Sequence, residues 1–148
     1  MTSSTVSRPR AGQAMSPREQ ENRRLLRARD AIDRDYGRPL DVPTLARIAH
    51  VSPSHFSRSF RAAFGETPHR YLQRRRIERA MALLRDTPAP VTDVALRVGS
   101  NSLGTFSRTF RDVVGVSPSE YRRRTRPVVA PVCFTKSWLR PADRAVPD

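Results

Sequence analysis

Four arginines stand out by type and spacing: Arg58 with Arg61, one helical turn apart, and Arg108 with Arg111, which repeat that spacing further along the chain. A guanidinium is a planar fork of N–H donors that matches a phosphate or the O6/N7 edge of guanine. Helical periodicity places Ser54 and Ser57 beside the first pair, and Gly104 and Ser107 beside the second. Small neighbours let a helix backbone lie close in a major groove while the arginines reach a base edge or the sugar-phosphate chain. One arginine on a polar helix face is ordinarily only solvated. The same arrangement written twice gives these residues their weight, with Arg61 and Arg111 the better placed for phosphate. The phenylalanines between them are expected in a core rather than stacked on bases.

The repetition is not confined to the arginines. At one constant offset, Phe56, Ser57, Arg58, Phe60 and Arg61 fall on Phe106, Ser107, Arg108, Phe110 and Arg111, and Gly65, Pro68 and Tyr71 fall on Gly115, Pro118 and Tyr121. Upstream, with one residue of slippage, Val42, Leu45, Ala46 and Ala49 match Val91, Val94, Ala95 and Val98. Two copies are too few for a solenoid and read as a duplicated motif.

Helix boundaries are signalled locally. Ser16, Pro17 and Glu19 form a capping-box pattern that opens a helix with Leu25, Ala28, Ile32 and Tyr36 on one stripe, closed by Gly37 and Pro39. Asp41, Ser52-Pro53 and Thr67-Pro68 open three more helices, and Asn101 or Ser102 and Ser117-Pro118 open two in the second copy. Gly65 and Gly115 stand where helices end in a left-handed residue. No segment alternates as a half-buried strand does, so the fold is expected to be all-α. The expected inward faces are Phe56, Phe60, Ala63 and Phe64 in one copy, and Leu103, Phe106, Phe110, Val113 and Val114 in the other. A long helix over about 68–86 is expected to join the copies as a stiff spacer.

Composition narrows the partner. The chain has 148 residues, a formal charge of +14 and an isoelectric point near 11.6, which favour a polyanion. Nearly all the basic residues are arginine, Lys136 being the only lysine, a bias that a GC-rich genome would also produce. The single cysteine, Cys133, leaves no disulfide framework and no cysteine-built zinc site. His50, His55 and His69 show no metal-ligand grouping, and there is no phosphate loop or nucleophile elbow, so neither cofactor nor metal is expected. No stretch reads as a signal peptide or a membrane span. A cytoplasmic, nucleoid-associated protein that is not an enzyme fits these bounds.

In each copy a small residue, Ala46 or Ala95, precedes by four positions a residue suited to a left-handed turn, His50 or Gly99. A helix-turn-helix needs this combination. The stretches FSRSFRAAFGETPHRYLQRRRIERAMALL and VTDVALRVGSNSLGTFSRTFRDVVGVSPSEYRR resemble the DNA-binding domain of the AraC/XylS family of bacterial transcription regulators, over roughly residues 20–125. The resemblance implies seven helices, two tandem helix-turn-helix subdomains joined by a long linker helix, and promoter binding that recruits RNA polymerase. It implies base contacts at Ser54, Ser57 and Arg58 in the first unit and at Gly104, Thr105, Ser107 and Arg108 in the second. His55, at the start of the first reading helix, is a further candidate for phosphate. Two positions depart from the family. Gly99-Ser100 stands where Gly-aromatic is usual, so that one core contact is absent or supplied by the tail, and Gly104 replaces a longer polar reader.

The expected organisation is a disordered arm at 1–15, a DNA-binding domain at 16–125 (first unit 16–66, second unit 90–125), and a proline-rich apolar tail at 126–148. The expected function is sequence-specific binding of double-stranded DNA as a monomer, the first unit supplying more of the base contacts. An N-terminal effector-binding domain is not expected within these 148 residues. The alternatives are a non-specific nucleoid-type DNA coater, a protein-interaction module using the tail or the first helix, and a repair enzyme relying on Cys133.

Overall fold

The computed structural model describes Gly12 and residues 14–126. These form seven helices: α1 (Pro17–Asp35), α2 (Val42–Ile48), α3 (Pro53–Phe64), α4 (Pro68–Asp86), α5 (Val91–Arg97), α6 (Leu103–Val114) and α7 (Pro118–Thr125). Among the described residues there is no strand. Apart from their edge residues, the N-terminal arm and the C-terminal tail lie outside the described residues, as does Cys133.

The starts follow the local chemistry. Ser16 and Glu19 make the reciprocal capping box, and Asp41, Ser52, Thr67, Ser102 and Ser117 each accept a hydrogen bond from the backbone amide three residues on. Only α5 begins without a side-chain cap, at Pro90. Helices α3 and α6 both end in left-handed glycines, Gly65 and Gly115.

Two hydrophobic clusters organise the helices. The first gathers Leu25, Ala28 and Ile32 of α1, Leu45 and Ala46 of α2, Phe56 and Phe60 of α3, and Leu72 of α4. The second gathers Ile77, Ala80 and Leu84 of α4, Val94 and Ala95 of α5, and Phe106 and Phe110 of α6. Helix α4 therefore serves twice: its first half closes one core and its second half opens the next. Ile77, Ala80 and Leu84 repeat the spacing of Leu25, Ala28 and Ile32, so the duplication extends to the helix preceding each helix-turn-helix.

Three expected core residues are exposed: Ala63, Leu103 (44%) and Val113 (54%). The row Phe56, Phe60, Phe64 advances about 40° around the helix with each step of four residues. Its centre is Phe60, which leaves position 63 at the margin, and Val113 stands in the same relation to Phe106 and Phe110. Leu103 is the first residue of α6, before the helix reaches the second core at Phe106.

Candidate nucleic-acid interface

The two helix-turn-helix units are built alike. Ala46 and Ala95 are buried, as the crossing of two helices requires, and the turns pass through left-handed residues, His50 at φ 55° and Gly99 at φ 88°. In each turn the third amide after the first helix bonds back to the carbonyl of the crossing alanine, Val51 to Ala46 and Ser100 to Ala95. Where the usual aromatic is missing, Ser100 Oγ donates to the carbonyl of Ser102 at 3.1 Å, while its counterpart Val51 packs on the first core. Whether the tail replaces that contact lies outside the described residues.

Beneath each reading helix the aromatic rings fix its rotation. Phe60 meets Phe56, Phe64 and Tyr71 at centroid distances of 5.6, 4.6 and 5.7 Å, while Phe110 meets Phe106 and Tyr121 at 5.9 and 5.7 Å. With those faces buried, the opposite faces are turned outward. Ser54, His55, Arg58 and Arg61 are exposed on α3, and Gly104, Thr105, Arg108 and Arg111 on α6. Ser57 and Ser107 are half-buried at equivalent places. A Cβ on Gly104 would approach only Ser102 Oγ, at 3.8 Å, so nothing in the body crowds that part of the face.

The electrostatics separate these arginines from most of their neighbours. Arg58, Arg61, Arg108 and Arg111 make no ion pair or side-chain hydrogen bond among the described residues. By contrast Arg74 is held by Glu66 and Glu78, Arg75 faces Asp33 and Glu78, Arg85 pairs with Asp86, and Arg123 and Arg124 pair with Glu120. The guanidinium donors of Arg58, Arg61, Arg108 and Arg111 are thus not engaged by any of the described residues.

His55 is differently placed. Its Nε2 lies 2.8 Å from Glu21 Oε1 of α1, and the Ser59 hydroxyl donates to the same carboxylate oxygen at 3.0 Å. The Ser59 hydroxyl and the His55 ring hold Glu21 below the ordinary glutamate value of 4.5. A carboxyl depressed in the folded state stabilises it above its unfolded pKa, and that contribution is lost as pH falls through the folded value. Acidification below about pH 4.5 should therefore loosen α1 from α3, and Glu21→Gln should abolish this step. Hydrogen exchange of α1 amides across that pH range reads the effect.

Two further arginines went unmarked in the sequence. Arg76 Nε donates to the Tyr36 carbonyl at 2.7 Å and Nη2 to the Arg38 carbonyl at 2.9 Å, at the end of α1. Arg122 Nε donates to the Leu84 carbonyl at 3.0 Å and its Nη2 to the Ala89 carbonyl, at the end of α4. Each bonds one carbonyl at a helix C-terminus, Tyr36 or Leu84, where the helix dipole also favours a cation, and one in the turn that follows, Arg38 or Ala89. No local signal finds them, because the partners lie in other helices.

Comparison with known proteins agrees with this geometry. The model of a helix-turn-helix domain family matches residues 45–124, more than half of the chain. An HTH-type transcriptional regulator of Mycobacterium tuberculosis is 42% identical over 64 residues, covering 43% of this chain and 25% of that protein. The match spans 25% to 32% of the length of this regulator and of two other curated relatives. Among solved structures, the C-terminal domain of AraT, a response regulator from Geobacillus stearothermophilus, is 30% identical with a TM-score of 0.69, covering 80% of this chain and 93% of that one. The DNA-binding domain of AdpA, a global transcriptional factor solved in complex with a target DNA, is 32% identical with a TM-score of 0.66, over 68% and 90% of the two chains. Two matched helix-turn-helix units on a shared central helix, found again in these relatives, place the chain in the AraC-type helix-turn-helix family of DNA-binding domains.

Proposed function

We propose that the chain is a sequence-specific, non-enzymatic transcription regulator whose α3 and α6 enter successive major-groove segments of double-stranded DNA. The carrying observation is the pair of equivalent exposed faces, each with two arginines that have no partner among the described residues, on a helix whose opposite side is locked by aromatic packing. Arg58 and Arg108 read base edges, with Ser54, Ser57, Thr105 and Ser107 alongside and Gly104 permitting close approach. Arg61 and Arg111 hold phosphates. With Nε2 beside Glu21, His55 donates from Nδ1 to a phosphate only as the imidazolium. The first unit, with the fuller polar face, supplies more of the base contacts and the second more of the backbone anchoring.

The organisation proposed is one DNA-binding domain over residues 16–125, bound to its site as a monomer, cytoplasmic and nucleoid-associated. RNA polymerase is the proposed partner at promoters, a role supported by the family resemblance. Genome-wide mapping of bound sites should give discrete peaks beside promoters. Even coverage of the chromosome would favour the non-specific coater, the second reading that the high arginine content supports.

Phosphate contacts release counterions, so log affinity falls with log salt by about 0.9 per neutralised phosphate. Contacts from Arg61 and Arg111 alone should weaken binding about tenfold for a fourfold rise in salt. A titration series in sodium chloride measures the slope, and Arg61→Ala should reduce it by about one.

A further inference from the structure

Two readers on one chain select a site only if their separation is fixed, and a single shared helix does not by itself fix the rotation of one unit about the other. The structure contains a second junction. Tyr36, at the end of α1, packs against both hydrophobic clusters, and the Arg79 guanidinium covers its ring at 5.5 Å. Arg76 of α4 holds the carbonyls of Tyr36 and Arg38. The backbones of the two units also touch there. A Cβ on Gly37, in the turn after α1, would lie 2.9 Å from the Arg97 carbonyl at the end of α5. A Cβ on Gly99, in the turn of the second helix-turn-helix, would lie 3.0 Å from both the Gly37 carbonyl and Arg76 Nη2. Only hydrogen fits between these two turns.

We propose that Arg76, closing the Gly37–Gly99 backbone contact, is the positioning residue that fixes the angle between α3 and α6 and so sets the half-site separation the protein accepts. The reasoning is steric and electrostatic. Charge-assisted hydrogen bonds to carbonyls are strong and directional, and these tie the α1 terminus to α4 at the height where the second turn abuts it. Gly37 is not in the left-handed region, so Gly37→Ala leaves its own backbone unstrained and acts only as a wedge between the units. Arg76→Met keeps the apolar stem and removes both donors. Arg76→Lys restores one donor.

The inference rests on the two-reader function proposed above, and the test separates the two. In the full chain with Cys133→Ser, spin labels at Ala62→Cys on α3 and Asp112→Cys on α6 report the distance between the reading helices without DNA. A single narrow distribution is expected, broadened or shifted by Gly37→Ala and by Arg76→Met, and partly recovered with Arg76→Lys. An unchanged distribution in Gly37→Ala overturns the proposal, and this variant decides alone if Arg76→Met does not fold. On DNA, inserting one base pair between the two halves of the selected site should weaken the parent about tenfold or more and the two variants about threefold or less. Equal discrimination by parent and variants also overturns it. If the parent selects no two-part site, the reading function fails, and the distance distributions still decide the role of Arg76.

Discussion

Arg58→Ala is expected to weaken binding to the selected DNA site by about 1–3 kcal/mol, roughly 5- to 150-fold, and to erase preference at one base pair while leaving the others intact. The expectation follows from an exposed guanidinium with no partner among the described residues, on a helix whose rotation is set by Phe56 and Phe60 beneath it. Arg108→Ala should act in the same way on the other half-site. Its effect should lie toward the lower end, because Gly104, Thr105 and Ser107 offer one polar side chain fewer beside it than Ser54, His55 and Ser57 offer Arg58. Competition titrations against single-base variants of the site distinguish the two roles. Uniform weakening on every duplex would make these arginines phosphate ligands and contradict base reading.

Phe60→Ala is expected to be the most damaging single change, at about 3–5 kcal/mol, because it removes a fully buried ring that contacts three others. A domain of this size has about 5–15 kcal/mol in total, so a loss of this size takes a large share of the stability and should lower the melting temperature markedly. Phe110→Ala should cost less. Val114 stands where Phe64 does, and Phe110 therefore loses two ring contacts rather than three, each aromatic pair adding about 0.5–1.5 kcal/mol beyond burial. Each unit has its own core, so damage should stay local. Hydrogen exchange after Phe60→Ala should show loss of protection in α1–α3 with α5–α7 retained, and a single cooperative loss throughout would mean that the two cores do not act separately.

Local chemistry made much of this fold legible. Capping residues at Ser16, Asp41, Ser52, Thr67 and Ser117 give five helix starts directly, and Ser102, with Asn101 the alternative, gives a sixth; the left-handed positions at His50, Gly65, Gly99 and Gly115 mark turns and ends. The outward faces of α3 and α6 follow from the spacing of Phe56, Phe60, Phe106 and Phe110. What periodicity misjudged are positions at the margin or the end of a face, namely Ala63, Leu103 and Val113, where burial depends on how far the body extends. What it could not see are pairings between distant helices. In the run Arg74-Arg75-Arg76 the sequence shows three equal charges, yet Arg74 turns to Glu66 and Glu78, Arg75 to Asp33, and Arg76 to the carbonyls of α1. His55, a candidate for phosphate in the sequence, has its Nε2 beside Glu21, a residue that only the packing of α1 on α3 brings near.

The dual use of α4 has the same origin. Its two apolar stripes, Leu72 and then Ile77, Ala80 and Leu84, read in sequence as one amphipathic spacer, but they belong to different cores. A helix shared in this way stands where a flexible linker could have been, and the proposed Gly37–Gly99 junction closed by Arg76 would complete the fixing of α3 against α6.

Selection of bound duplexes from a random pool tests this most directly. Two tightly placed readers should enrich a two-part motif whose halves are one helical turn apart, about 10–10.5 base pairs centre to centre, with guanine at the positions lost in Arg58→Ala and Arg108→Ala. A pool that shows no enriched sequence, bound no more tightly than the starting mixture, would contradict sequence reading by these two helices.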